Sequence, residues 1–249
     1  MCDRVPEPFN SRRELRMRRP DDWHHHLRDG PDVLRDTVRA AARAFSRAII
    51  MPNLVPPVTT VAAAGEYRER IEAALAASGG APGSFTPLMT LYLTDTTTVA
   101  AVEAAAASGF IKAFKLYPAG ATTNSDSGGS LAFASKKRAS TDSAPHAIGR
   151  KETGCGCAGI FNANAALELR RGGVYADQLP PRAFEEAGAL EHLEAFCSLH
   201  GPAFYGVPAN DEVVTLRRET WKMAHSLPLG NEEVVPFRAA QLINWRMDG

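Results

Sequence analysis

Residues 23–30 read Trp23-His24-His25-His26-Leu27-Arg28-Asp29-Gly30, and whether they end a strand decides how the rest of the chain is built. In extended backbone successive side chains point to opposite faces, so His24 and His26 share one face and His25 looks the other way. Two imidazoles spaced by two residues at a strand end can both reach one metal ion. Arg28 continues that face, where its guanidinium can hold an anionic group beside the metal. The same octapeptide also fits a plain polar strand end, with His25 and its neighbours structural. What surrounds it separates the two readings.

Downstream, strands and helices alternate. Asp32 to Phe45 places Leu34, Val38, Ala41 and Phe45 at helical spacing, with Asp32 as the N-cap. Ser46 to Met51 (SRAIIM) is a short β-branched run that stops at Pro52-Asn53, the pattern of a buried strand entering a turn. Thr60 caps a second helix that reaches Ala77 with Tyr67, Ile71 and Leu75 in one stripe, and the Gly/Pro/Ser segment 78–84 closes it. Phe85 to Leu93 is a third strand, Thr98 to Ser108 an alanine-rich helix ending at Gly109, and Phe110 to Tyr117 a fourth strand. Apolar strands joined by amphipathic helices predict a parallel sheet with right-handed crossovers. Such sheets carry their sites at the carboxyl ends of the strands. His24, His26, Arg28, Asn53 and Lys115 all fall there.

The composition sets the outer bounds. At 249 residues and 45% hydrophobic, the chain can bury the core of one large domain. Lys+Arg and Asp+Glu balance at 28 each, which argues against nucleic acid or an anionic membrane as partner. No apolar run approaches the ~18 residues of a membrane helix. Four cysteines, Cys2, Cys155, Cys157 and Cys197, are too few and too unevenly placed for a disulfide framework, so a reducing, cytoplasmic setting is expected. Cys155 and Cys157 sit in a glycine loop without the second ligand pair a structural zinc needs. Residues 1–17 mix arginines with Asp3, Glu7 and Glu14 and read as a loose leader, leaving 18–249 as a single domain.

Beyond the fourth strand the alternation breaks. Residues 120–140 are small, polar and basic, with only Leu131 to Ala134 strand-like. Thr141-Asp142-Ser143-Ala144-Pro145-His146 follows, then a Gly/Cys loop at 154–159. The remainder reads as helical: Phe184 to Leu199, with Leu190, Leu193 and Cys197 on one face, and Asp211 to Met223. Residues 170–182 interrupt it without periodicity, as an insertion would.

Seven blocks carry a family resemblance: RRPDDWHHHLRDG (18–30), RAIIMPNLVPPVTT (47–60), FTPLMTLYLTD (85–95), KLYPAGATTNS (115–125), TDSAPHAIGRKE (141–152), CGCAGIFNA (155–163) and EAFCSLHGPAFYG (194–206). In this order they resemble the dihydroorotases of the single-function bacterial type, within the metal-dependent amidohydrolases. The resemblance implies a TIM-type (β/α)8 barrel with zinc at its C-terminal mouth. It implies His24 and His26 as ligands of the more buried zinc, Lys115 as the carbamylated lysine bridging two zincs, and Asp142 as both ligand and general acid/base. Arg28, Asn53 and His146 match the residues that bind the substrate carboxylate. Ala144 and Ala158 match positions lining the substrate through backbone groups, and Thr122-Thr123 the tip of a lid loop. The implied reaction is the reversible hydrolysis of (S)-dihydroorotate to N-carbamoyl-L-aspartate in pyrimidine biosynthesis. Apart from the resemblance, Lys115 also reads as a snorkelling strand-end lysine, and Asp142 as a helix cap.

The chain departs from that family at one place. Between Lys115 and Asp142 lie 26 residues and no histidine, where the family has two further histidines on its fifth and sixth strands for the second zinc. At ~30 or more residues per βα unit, three strands with their helices, roughly a hundred residues, are missing against that family. Lys136-Lys137-Arg138 stands where apolar residues should enter the barrel. The expected fold is therefore an incomplete barrel, about strands 1–4 plus the C-terminal segment, truncated internally around 125–140, with at most one zinc. Three readings stay open: a dihydroorotase, a catalytically inactive remnant or binding subunit, and a one-metal amidohydrolase of other specificity. The expected partner is a small-molecule substrate, with a homodimer left open.

Overall fold

A computed structural model describes residues 13–116, 140–154, 156–169, 184 and 187–248. Four strands, β2 (Asp21–His25), β3 (Arg47–Ile50), β4 (Thr86–Leu93) and β5 (Ile111–Leu116), pair in parallel in that order, as the alternation predicts. Helices α1 (Pro31–Ala44), α2 (Val61–Ala77) and α3 (Val99–Ala107) make the crossovers. Ile49, Ile50, Met89 and Leu91 are almost without solvent contact, as residues of central parallel strands must be. In α1 the buried stripe is Leu34, Thr37, Val38, Ala41 and Ala44, and in α2 it is Ala64, Tyr67, Ile71, Ala74 and Leu75. These three- and four-residue spacings turn one face of each helix to the common core.

Helix starts follow local chemistry. Thr60 and Thr98 cap α2 and α3 by accepting from the amides of Ala63 and Ala101. The expected cap at Asp32 is displaced: Gly30 (φ 94°) takes the cap position, Pro31 starts the helix and Asp32 lies inside the first turn. Proline's fixed φ suits the first helical position, and an acid in the first turn favours the helix dipole.

Two expectations are overturned. Glu14–Arg18, the end of the supposed leader, is strand β1, and 211–223 forms strands rather than a helix. Here β6 (Val213–Arg217) sits between β1 and β11 (Arg246–Met247) in an antiparallel sheet, with Leu15 opposite Leu216 and Met17 opposite Val214. All four of those side chains are buried. The period of two was present in both segments, and the β-branched Val213, Val214 and Thr215 favour the pleated form. Its partners lie some two hundred residues apart, so neither segment announces the pairing alone.

Among the described residues the C-terminal part is only briefly helical: a 3-10 turn at Leu190–His192, a π-type turn at Ala195–Leu199 and α6 (His200–Tyr205), with α4 (Ile148–Lys151) and α5 (Ala166–Leu169) before them. Leu190, Leu193 and Cys197 are buried, as their shared face predicts. Two small antiparallel pairs, β7 (Trp221–Lys222) with β10 (Leu242–Ile243) and β8 (Leu227–Leu229) with β9 (Glu232–Val234), complete the description. Helix α6 docks on the first parallel strand through Trp23, which stacks on Tyr205 at 4.5 Å and 16°. Gly201 permits this approach, since a Cβ there would lie 1.9 Å from the indole nitrogen.

The segment 141–144 runs beside β2. The amide of His26 donates to Ser143 O (3.0 Å), and that of Asp142 donates to His24 O (3.1 Å). The late segment thus lies against the first strand, where the last strand of a barrel belongs. At the far edge, β5 has no partner strand among the described residues. The architecture is α/β with an incomplete barrel, and no described helix is long and apolar enough to cross a membrane. Leu131 to Ala134, Lys136 to Arg138 and the insertion at 170–182 lie outside the described residues.

Candidate metal centre

His24 and His26 emerge at the carboxyl end of β2 with ring centroids 5.4 Å apart. Asp142 meets them from the neighbouring segment, its Oδ1 lying 3.3 Å from His24 Nε2 and 3.6 Å from His26 Nε2. One donor atom from each residue falls within 4.8 Å of the others. Lys115, near the end of β5, places Nζ 3.1 Å from His24 Nε2. Four residues expected together are together.

Their protonation suits ligation. Burial pushes the His24 imidazole down to about 3, with the Lys115 charge adding to the effect. Burial also holds His26 well below the ordinary range, helped by Arg28. Both rings are neutral near pH 7 and keep a lone pair for a cation. Burial brings the Lys115 ammonium down to about 8 against the opposing pull of Asp142, so a neutral amine is accessible. Partial burial raises the Asp142 carboxyl, opposed chiefly by Lys115.

The flanking groups form a second cluster. Arg28 donates from Nε to Pro145 O (3.0 Å) and lies 2.8 Å from His146 Nε2. Burial and the Arg28 charge lower His146 to about 4, while its hydrogen bond to the Ala158 backbone works the other way. The chain is not extended at Arg28, as simple alternation required, but turns there with φ 65°; Asp142 has φ 45°. Left-handed backbone at non-glycine residues costs energy and recurs at functional sites. Two hydroxyls hold the turn: Thr37 Oγ1 of α1 donates to Leu27 O and Tyr67 Oη of α2 to Arg28 O, each at 2.6 Å. Asn53 and Ala144 are buried, Ala158 is exposed, and Thr122 and Thr123 lie outside the described residues.

His25 points away, as alternation requires, and its Nδ1 lies 2.7 Å from Asp22 Oδ2. Asp22 is fully buried and was not singled out from the sequence, nor was its partner Thr141. The one available signal was a pair of acids, Asp21-Asp22, inside a strand whose neighbours are apolar. Burial would raise the Asp22 carboxyl, but hydrogen bonds from His25 and Thr141 outweigh it and hold the group below its ordinary range.

A parallel α/β sheet bearing two histidines, a lysine and an aspartate on its carboxyl ends defines a metal-dependent amidohydrolase of the barrel type. No protein-family model matches the chain. It is 37% identical to the dihydroorotase of Laribacter hongkongensis over 356 positions, covering 94% of this chain and 99% of that protein. The Vibrio cholerae dihydroorotase is also 37% identical, with 93% and 98% covered, and the Pseudomonas aeruginosa protein 36%. In fold the chain resembles the solved dihydroorotases of Saccharomyces cerevisiae, in complex with 5-fluoroorotic acid, and of Campylobacter jejuni. Each superimposes with a TM-score of 0.76 at 19% identity, covering 95% of this chain and 98% of the other. The chain belongs to the dihydroorotase family. The first alignment exceeds the 249 residues of the chain by 107 positions (356 less 249), so more than a hundred positions of that relative have no counterpart here. These positions fall inside the aligned span, since the two chains match almost end to end.

Proposed function

We propose that the chain is a dihydroorotase by descent that keeps one half of its metal centre, a single zinc held by His24, His26 and Asp142 with Lys115 beside it. The observation that carries this reading is the convergence of three donor atoms within 4.8 Å on the carboxyl end of a parallel sheet. The donor set fits zinc: two neutral imidazoles and a carboxylate are ordinary zinc ligands. A lysine brought down to about 8 is one that carbon dioxide can carbamylate. Zinc, when bound, supplies Lewis-acid polarisation of a carbonyl and makes water acidic near neutrality.

The protein's own groups do the rest. Arg28, Asn53 and His146 bind and orient the substrate carboxylate, with Ala144 and Ala158 lining the site. Asp142, with its raised carboxyl, takes the proton of the attacking water and returns it to the leaving ring nitrogen of (S)-dihydroorotate. The reverse sequence closes N-carbamoyl-L-aspartate to the ring, a step of pyrimidine biosynthesis in the cytoplasm.

The absence of any histidine between Lys115 and Asp142 favours a second element of the reading, that turnover is weak. Losing the groups that complete and position a metal centre costs several kcal/mol of transition-state stabilisation. At ~1.4 kcal/mol per tenfold, a loss of about 5 kcal/mol leaves less than a thousandth of the rate. The test follows dihydroorotate formed from carbamoyl aspartate, beside a version with the missing segment restored from a relative, with zinc counted in both. Expected are at most one zinc and a trace rate in the chain as it stands, and two zincs with full turnover on restoration. Comparable rates from the two proteins would overturn the reading. Carbamoyl aspartate bound without turnover would identify a binding subunit.

A further inference from the structure

We propose that Asp22 is a positioning residue which, through Thr141, holds the Asp142 segment in register with the first strand and so assembles the ligand triad. Every hydrogen bond given to its carboxylate comes from a ligand-bearing segment. Oδ1 accepts from the amides of His24 (3.3 Å) and Thr141 (2.9 Å), and Oδ2 accepts from His25 Nδ1 (2.7 Å) and the Thr141 hydroxyl. Thr141 is clamped in turn, its Oγ1 accepting from the Ser143 amide (3.1 Å) and its carbonyl from Asn162 Nδ2 (2.9 Å). Both Asp22 and Thr141 are buried. A buried carboxylate must collect several donors, and these donors fix backbone direction where an apolar contact would fix only distance. Thr141 directly precedes Asp142, whose left-handed backbone aims its carboxylate back at His24 and His26. On its other side the segment meets residues 160–163, where the Ala144 amide donates to Ile160 O (2.8 Å) and the Ala163 amide to Ser143 Oγ (3.3 Å), so the Asp22 clamp sets its register on the side of the first strand.

The metal readout rests on the zinc reading above; the seam itself is read without metal. The experiment uses the full chain with Asp22→Asn, Thr141→Val and the conservative Thr141→Ser. Amide exchange at His26 and Asp142, whose hydrogen bonds form the seam, is followed by NMR in zinc-free protein. Zinc affinity comes from chelator competition, and ligand geometry from the visible spectrum of the cobalt(II) form. Asp22→Asn and Thr141→Val are expected to speed exchange at both amides at least tenfold while Leu91 in β4 is unchanged. Zinc binding should weaken about 10- to 100-fold, with an altered cobalt spectrum, as loss of groups orienting metal ligands does. Thr141→Ser should restore both. Unchanged exchange at His26 and Asp142, or an equal rise at Leu91, overturns the proposal. A parent chain that binds no zinc yet shows the seam effect refutes the zinc reading and upholds the positioning role. Should Asp22→Asn fail to fold, the Thr141 pair decides.

Discussion

Alternation along β2 sorts three adjacent imidazoles into two jobs, and substitution should expose the division. His24→Ala and His26→Ala are each expected to abolish zinc binding measured by chelator competition. His25→Ala should spare it to within tenfold while lowering stability by about 1–3 kcal/mol, because the buried Asp22 loses a donor. Equal loss at all three positions would mean alternation does not choose the ligands. A second expectation concerns His146, lowered to about 4 by burial and Arg28 from an ordinary 6.5. As pH falls, the unfolded chain takes up this proton first, so stability is highest above about 6.5 and declines toward 4. His146→Gln should flatten that decline in denaturation curves, and Arg28→Met should move the NMR titration of His146 upward. The gathering of His24, His26, Lys115 and Asp142, and of Arg28 with His146, was legible in the sequence because alternation and the matching blocks mark these residues. Asp22 and Thr141 were not: they meet across 119 positions, and a hydrogen bond over that distance leaves no pattern in a one-dimensional string.

Among the elements, those made by local rules were readable and those made by distant pairing were not. The stripes of α1 and α2, the threonine caps and the parallel strands each follow from a few adjacent residues. The sheet joining β1, β6 and β11 depends on segments near both ends of the chain, and an arginine-rich β1 hides its two buried positions. That sheet belongs to the main core, since Leu15, Met17 and Leu216 pack in it with Leu34 and Val38. Leu216→Ala should therefore cost about 2–5 kcal/mol in chemical denaturation. Thr98→Ala, which removes only a cap, should cost about 1 kcal/mol. A Leu216→Ala loss no larger than that of Thr98→Ala would detach the sheet from the core.

At the scale of the molecule, the parallel sheet is bordered on one flank and, among the described residues, unbordered on the other. The 141–144 segment runs along β2, whereas β5, paired with β4 on its inner side, has no strand on its outer side among the described residues. An unpaired edge is a template for another chain. Positive and negative side chains cancel at 28 each, so no long-range repulsion keeps copies apart. Association that grows with concentration is expected in sedimentation, and restoring the missing segment should suppress it. A clean monomer with a sharp melt would show that the edge is covered. The length of the deletion was visible in the sequence. An unpaired edge was expected from the missing strands, but the preserved seam was not, because the seam depends on the buried Asp22.

The contact between Trp23 and Tyr205 gives the protein a light-emitting gauge of its own condition. The indole lies one residue before His24, is 4% exposed and stacks on a ring brought there by α6. Shielded from water, it emits toward the blue, and it shifts red once α6 lifts from the strand. With Trp221 and Trp245 changed to phenylalanine, the colour of a single fluorophore follows the docking of the C-terminal helix on the strand that carries both histidines.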